Sequence, residues 1–283
     1  MKRILIAFIV TLMVTAVLSS AALATTDGLI SWWRAGGDAT DAVGTNDGVL
    51  VNGASFADGK VGQAFSFDGT DQFVEVPDAP NLNPTEQLTM AAWVFPIAVE
   101  DTNDIIINKE TGSPFVIQYE MSVRQFNDTS GTYIYMFHLG GVSGFPNDGA
   151  GWVSGGQVPL NAWSHVALTF DGSLAKAYIN GTVTKTFTGL SGNIRVTSGP
   201  LRIGTRSDNI IATHPDVFFN GLIDEVKIFD RALSGGEIQT LTVLPPGWDK
   251  GKKSGWEGSI PPGLEKKEKT PDGFDQGNKK GWE

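Results

Sequence analysis

An all-β fold of antiparallel strands, a sandwich or a barrel, is what this sequence predicts for most of its length. Short alternating or apolar runs recur between clusters of Gly, Asn, Asp and Pro, and a period of two is the signature of a strand with one buried face. No comparable stretch carries the apolar spacing of a long helix. Asn180-Gly181, between Ala177-Tyr178-Ile179 and Thr182-Val183-Thr184, is a strong hairpin signal because both turn positions tolerate positive φ. Many short strands joined by turn chemistry make a sandwich or barrel.

The chain opens with Lys2 and Arg3, an apolar run over residues 4–18 and the small-residue end Ala22-Leu23-Ala24. This is the layout of a secretory signal peptide cleaved after residue 24. The competing reading is an uncleaved anchor, since residues 4–23 nearly reach the ~20 residues that span a bilayer. Thr11, Thr15, Ser19 and Ser20 interrupt the run and favour cleavage. No later segment is apolar enough to span, so the mature chain is expected to be exported, to the outside or the cell surface, without a transmembrane segment. Expected strands follow at residues 29–33, 63–67, 72–76, 88–95, 105–108, 115–121, 133–139, 163–170, 174–179, 183–187, 201–203 and 222–229. Ser234-Gly235-Gly236-Glu237, then Ile238 and Leu241, reads as a single capped helical turn that closes the domain. The expected division is thus a signal peptide at 1–24, one sandwich at 25–244 and a tail at 245–283.

The tail is repetitive. Pro245-Pro246-Gly247-Trp248-Asp249 and the residues to Glu257 recur as Pro271-Asp272-Gly273-Phe274-Asp275 and the residues to Glu283. So much Pro, Gly and Lys buries too little apolar area to offset chain entropy, and disorder is expected. A solvated tail is the plainer reading; regularly spaced aromatics that anchor a surface partner are the other.

Residues 25–244 carry 11 basic and 24 acidic side chains, and residues 245–283 carry 8 and 7. An acidic folded part argues against nucleic acid, which needs clustered Lys and Arg, and is compatible with neutral sugars and calcium. There is no cysteine, so an exported fold must stand without disulfides.

Three segments carry a family resemblance. They are Phe67-Asp68-Gly69 leading into Phe73-Val74-Glu75-Val76, Trp163-Ser164-His165-Val166 leading into Phe170-Asp171-Gly172, and Gly221-Leu222-Ile223-Asp224-Glu225-Val226 leading into Arg231-Ala232-Leu233-Ser234. With them, residues 28–240 resemble the laminin G-like, concanavalin A-like jelly-roll superfamily, which implies an antiparallel two-sheet jelly-roll β-sandwich. The resemblance also implies a calcium ion near the start of the chain with Asp224 as a ligand. Asp41 and Asp68, in Gly- and Asp-rich turns, are candidate partners, because calcium takes six to eight oxygens, many from backbone carbonyls. Turn and backbone hydrogen bonds are the competing role for the same three acids. Many relatives carry an acid where this chain reads Trp33-Arg34-Ala35, which weakens that site. The resemblance makes His165 a structural residue at the start of a central strand.

The superfamily contains glycoside hydrolases, whose retaining chemistry needs two carboxyl groups about 5 Å apart. The alternating Glu-x-Asp-x-Glu strand of jelly-roll glucanases is absent, residues 100–104 have the wrong spacing, and alternation points Asp224 and Glu225 to opposite faces. Phosphate-loop, hydrolase-elbow and zinc patterns are absent too. An exported, non-catalytic recognition module for carbohydrate or an extracellular protein is the expected function. A glycan-active enzyme and a structural protein acting through its tail are the alternatives. Sugar sites pair an aromatic face with polar groups that bind hydroxyls. Phe145 and Trp152 in the Gly-rich segment 140–152, with Asn103, Asp104, Asp208 and Asn209 on other loops, are the candidate ligand residues. Trp32, Trp93 and Trp163 are expected in the core.

Overall fold

The computed structural model describes residues 26–98, 103–111, 116–125, 133–146, 153–206 and 217–243. The segment expected to be a signal peptide, the repetitive tail, Trp152, Asp208 and Asn209 lie outside the described residues. The strands are β1 (Leu29–Trp33), β2 (Val49–Val51), β3 (Ser55–Asp58), β4 (Gln63–Asp68), β5 (Phe73–Val76), β6 (Leu88–Ala98), β7 (Asn103–Thr111) and β8 (Val116–Gln125). After them come β9 (Tyr133–Leu139), β10 (Val153–Val158), β11 (Ser164–Phe170), β12 (Ala175–Ile179), β13 (Thr182–Phe187), β14 (Leu201–Ile203) and β15 (Asn220–Phe229), and α1 (Gly235–Thr242) closes the fold. An eight-stranded sheet has the order β13-β12-β11-β6-β15-β4-β3, with β1 also paired to β15. A seven-stranded sheet has the order β10-β9-β8-β7-β14-β5-β2. All pairings are antiparallel, and the architecture is a jelly-roll sandwich.

Alternation fills the space between the sheets. Met90, Ala92 and Val94 of β6, Val166, Leu168 and Phe170 of β11, and Val226 and Ile228 of β15 share one buried cluster with Tyr119, Met121 and Val123 of β8 and Tyr135, Phe137 and Leu139 of β9. Side chains from two inner faces interdigitate in this way whenever two sheets stack. The Asn180-Gly181 turn forms as expected, with φ of 50° and 78°, and the Asn180 side-chain oxygen accepts from the His165 amide at 2.9 Å.

The outer face of the eight-stranded sheet is partly closed by α1. Ala91 and Ala167 are cross-strand partners, and their small side chains leave room for Ile238 to pack among Tyr178, Phe229 and Leu233. Ser234 and Glu237 form a capping box, which satisfies helix amides that would otherwise be orphaned. Thr89 staples the approach, its hydroxyl donating to the Arg231 carbonyl at 2.7 Å and accepting from the Leu233 amide at 3.0 Å. The expected single turn is therefore an eight-residue helix, because Ile238 and Leu241, one turn apart, both find apolar contact.

Two expectations need correction. β2, β3 and β10 have no counterpart among the expected strands: β2 is three residues long, and β10 carries Gly155-Gly156 where alternation would need side chains. The sidedness of Asp224 and Glu225 also differs. The register of β15 against β6 slips between Asp224 and Lys227, and Glu225 sits in the left-handed region at φ 54°. This β-bulge inserts one residue and re-aims the side chains around it. Asp224 lies opposite Trp93, while the Glu225 carboxylate accepts from the Trp32 indole at 2.9 Å and from Lys227 at 2.7 Å. Both acids thus lie on the outer side of the eight-stranded sheet.

Candidate functional site

The outer face of the seven-stranded sheet carries a row of polar residues that only the register reveals. Glu75 of β5 pairs with Arg202 of β14, Arg202 with Asn108 of β7, Asn108 with Glu120 of β8, and Glu120 with His138 of β9. Val74 and Val76, Leu201 and Ile203, Ile107, Tyr119 and Met121, and Phe137 and Leu139 beside them belong to the core, so alternation turns this row outward. The Arg202 guanidinium donates to Glu75 at 2.9 and 2.7 Å and to the Arg206 carbonyl at 2.6 Å. Asn108 donates to Glu120 at 2.9 Å. Arg206 sits between two carboxylates, 3.3 Å from Glu110 and 3.2 Å from Glu120.

The centre of the row is closed to solvent, with Glu120 at 0% and Glu110 at 1% exposure. A carboxylate withdrawn from water is tolerated only when a counter-charge and hydrogen bonds replace hydration. Arg206 and Asn108 supply both. The row opens at its ends, at the Glu75 side chain on one side and at the half-buried His138 on the other.

At the His138 end lies a cleft of about 410 Å3, lined by residues 138–146 and Arg195. Its wall follows the Gly-rich loop after β9. Gly140 is required there, because a Cβ would stand 1.9 Å from the Ile117 carbonyl oxygen. The loop is held by the Arg195 amide donating to the Gly140 carbonyl at 2.7 Å and by paired backbone bonds between Ser143 and Ser191 at 2.8 and 3.1 Å. The lining includes the exposed Arg195, the half-buried His138 and Ser143, beside apolar Val142 and Phe145. No carboxylate is among the described lining residues. Such a mixture of apolar wall and hydrogen-bonding groups suits binding, and the described lining residues include no acid pair of the kind that hydrolysis needs.

The structure distributes the sequence-predicted residues widely. Phe145 does line the cleft, but its ring also packs edge-on against Phe137 at 5.7 Å and Phe187 at 5.5 Å, as part of the rim of the core. Asp104 is buried, and its carboxylate accepts from the Asn220 amide at 3.3 Å. Asn103 opens β7. Asp41 accepts from the Trp32 amide at 3.0 Å, the Val43 amide at 3.1 Å and the Asn46 amide at 3.3 Å. Asp68 accepts from the Thr70 amide at 2.9 Å and the Gln72 side chain at 3.0 Å. Asp224, fully buried, accepts from the Val61 amide at 2.7 Å. Donors aimed at these oxygens take lone pairs that a cation needs. Among the described residues no group of three or more His, Asp or Glu side chains gathers for a metal ion, so a calcium ion here would draw most ligands from backbone carbonyls.

Of the three tryptophans expected in the core, two are buried and one is not. Trp32 and Trp93 are buried on the outer side of the eight-stranded sheet, where Lys227 lies 4.4 Å from the Trp32 ring and Lys60 lies 4.5 Å from the Trp93 ring. His165 stands edge-on to Trp93 at 5.3 Å. Burial, reinforced by the Lys227 charge, holds its pKa down at about 3, so the imidazole is neutral at physiological pH. Trp163 is half-buried, 5.5 Å from Phe95.

With the two antiparallel sheets and this site described, the class is a laminin G-type jelly roll. Residues 68–239 match the family model of the concanavalin A-like lectin/glucanases superfamily, and the chain belongs to that superfamily. No curated protein matches the sequence. Among solved structures, domain 4 of AbnA, a GH43 extracellular arabinanase from Geobacillus stearothermophilus in complex with arabinotriose, is 21% identical with a TM-score of 0.57. That match covers 76% of this chain and 98% of that domain. The binding domain of Paraclostridial Mosquitocidal Protein 1 is 14% identical with a TM-score of 0.55, over 77% of this chain and 52% of that one. Trypanosoma rangeli sialidase is 18% identical with a TM-score of 0.52, over 76% of this chain and 32% of the sialidase. At these identities the likeness is one of fold. The chain spans nearly all of the arabinanase domain but about a third of the sialidase.

Proposed function

We propose that this protein is an exported carbohydrate-recognition module that holds a saccharide without cleaving it. The observation that carries the reading is the cleft at the end of β9, with Arg195, His138 and Ser143 beside apolar wall and no carboxylate among its described lining residues. Support also comes from the arabinanase domain, solved in complex with arabinotriose, which this chain matches in fold over 98% of its length. Export rests on the N-terminal segment of the sequence and agrees with the extracellular arabinanase. The buried Arg206, paired with Glu110 and Glu120, ties the segment after β14 to β7 and β8.

The test is retention of the purified chain on insoluble polysaccharides of varied composition, with reducing ends measured in the same tubes. Retention on at least one polysaccharide without release of reducing ends is expected. Cleavage would favour a second reading, a glycan-active enzyme. One observation speaks for that reading: the bulge brings Asp224 and Glu225 to the same side of the sheet. Loss of cleavage in Glu225→Gln would then assign the chemistry to that pair. Retention on extracellular proteins but on no polysaccharide would instead give this surface a protein ligand.

A further inference from the structure

A second cleft, on the opposite sheet, has a donor and acceptor balance that points to a ligand. It encloses about 310 Å3 between the outer face of β11 and β12 and the segment that leads into α1. Thr169 and Lys176 are cross-strand partners, as are Ala167 and Tyr178, so the Thr169 hydroxyl, the Lys176 ammonium and the Tyr178 hydroxyl belong to one outward face. Gln87 borders the same space.

Several acceptors in this cleft are engaged by the protein. One Asp171 oxygen accepts from the Ser173 amide at 2.9 Å, the Ser173 hydroxyl at 3.1 Å and the Leu174 amide at 2.8 Å. Glu237 accepts from Arg231 at 2.7 Å and the Ser234 amide at 2.8 Å. The Gln87 carbonyl oxygen accepts from the Ala232 amide at 3.3 Å. The donors are not engaged. Among the described residues no hydrogen bond or ion pair uses the Lys176 ammonium, the Tyr178 or Thr169 hydroxyl, or the Gln87 amide nitrogen, although the Lys176 charge acts on Asp171. The Lys176 ammonium and the Gln87 amide nitrogen can only donate, and the Thr169 and Tyr178 hydroxyls can donate or accept, so spare hydrogen-bonding groups on three elements fit a partner rich in oxygens and hydroxyls. The charges also balance, Lys176 against Asp171 and Arg231 against Glu237, so the partner it fits is uncharged.

We infer that this cleft is a second binding site, for one unit of a neutral saccharide, whose ring and hydroxyl oxygens accept from Lys176, Tyr178, Thr169 and Gln87. It lies on the sheet opposite the cleft that contains Arg195, so the two sites could hold two saccharide chains at once. The inference stands on its own observations and does not require the first cleft to bind.

The experiment is a titration of the isotopically labelled full chain with glucose, galactose, xylose and arabinose, and with glucuronate as the charged control. The readout is the amide resonances of Ser173, Leu174, Ala232 and Leu233. At least one neutral sugar is expected to shift these amides saturably. Tyr178→Phe, which keeps the ring packed against α1, and Lys176→Met are each expected to weaken that binding roughly five- to tenfold, the scale of one hydrogen bond. Arg195→Ala should leave these shifts untouched, which separates failure of this site from failure of the first. No shift at these amides with any neutral sugar, unchanged affinity in both variants, or tighter binding of glucuronate than of every neutral sugar would each overturn the inference.

Discussion

The outer faces of the two sheets handle the same problem in opposite ways. Each carries charged groups withdrawn from water. On the seven-stranded sheet the answer is ionic: Arg206 joins Glu110 and Glu120, and Arg202 joins Glu75. On the eight-stranded sheet one ion pair, Lys227 with Glu225, is set among aromatic and apolar groups. Lys227 and Lys60 lie over Trp32 and Trp93, His165 stays neutral, and α1 plugs the rest with Ile238. The ionic face should lose most when one partner is removed, because a buried charge then loses its counter-charge. The aromatic face should lose stability gradually, through lost contact, and respond to pH.

The largest effect expected from this contrast is Arg206→Met. It strands two buried carboxylates and should cost about 3–5 kcal/mol in denaturant unfolding. A cost near zero would mean that those acids do not depend on Arg206. On the other face, Ile238→Ala removes the plug and should cost about 2–5 kcal/mol, by lost transfer energy and the cavity left behind.

His165 gives the pH response. Its folded pKa lies near 3, below the 6.5 of a free imidazole, so the unfolded chain takes up a proton where the folded one does not. The resulting stability is complete above about pH 6.5 and is lost as pH falls toward 3, with a slope of up to ~1.4 kcal/mol per pH unit. Glu237, held down at about 2 by Arg231 and by hydrogen bonds with Ser234 against the opposing effect of burial, adds its own loss only at lower pH. His165→Gln should therefore flatten the profile between about pH 6 and 4.5 and leave the acid limb below it. An unchanged profile would remove His165 as its source.

Much of the fold was readable in the sequence for a physical reason. Strands with one face in a core must alternate, so β1, β9 and β14 appear at their observed bounds. Val49–Val51 and Ser55–Asp58 are short and lie at or near sheet edges, where alternation is weakly enforced. The site was far less legible. Glu75, Arg202, Asn108, Glu120 and His138 are scattered along the chain and become a row only through the register of five strands. The bulge at Glu225 has no local signal, since a left-handed Glu is not marked by a glycine. Of the residues singled out for sugar binding, Phe145 reaches the first cleft; Arg195, beside it, was reachable only through the backbone pairing that folds residues 191–195 onto the Gly-rich loop.

Smaller effects sharpen the comparison further. Ser234→Ala removes the capping hydroxyl of α1 and should cost about 1 kcal/mol, well below Ile238→Ala. Calcium should have the smallest effect of all. Asp41, Asp68 and Asp224 already accept protein donors, so thermal unfolding in calcium and in chelator should coincide. A calcium-dependent rise that disappears in Asp224→Ala would instead put an ion beside the bulge.

The central claim is that the cleft beside His138 holds a saccharide. Its most direct test is calorimetric titration of the retained polysaccharide, or a soluble fragment of it, into the full chain and into Arg195→Ala. Arg195 is exposed, so the variant should melt with the parent, and the account predicts roughly tenfold or greater weakening from loss of its charged hydrogen bonds. Unchanged affinity in a normally folded Arg195→Ala would contradict the account.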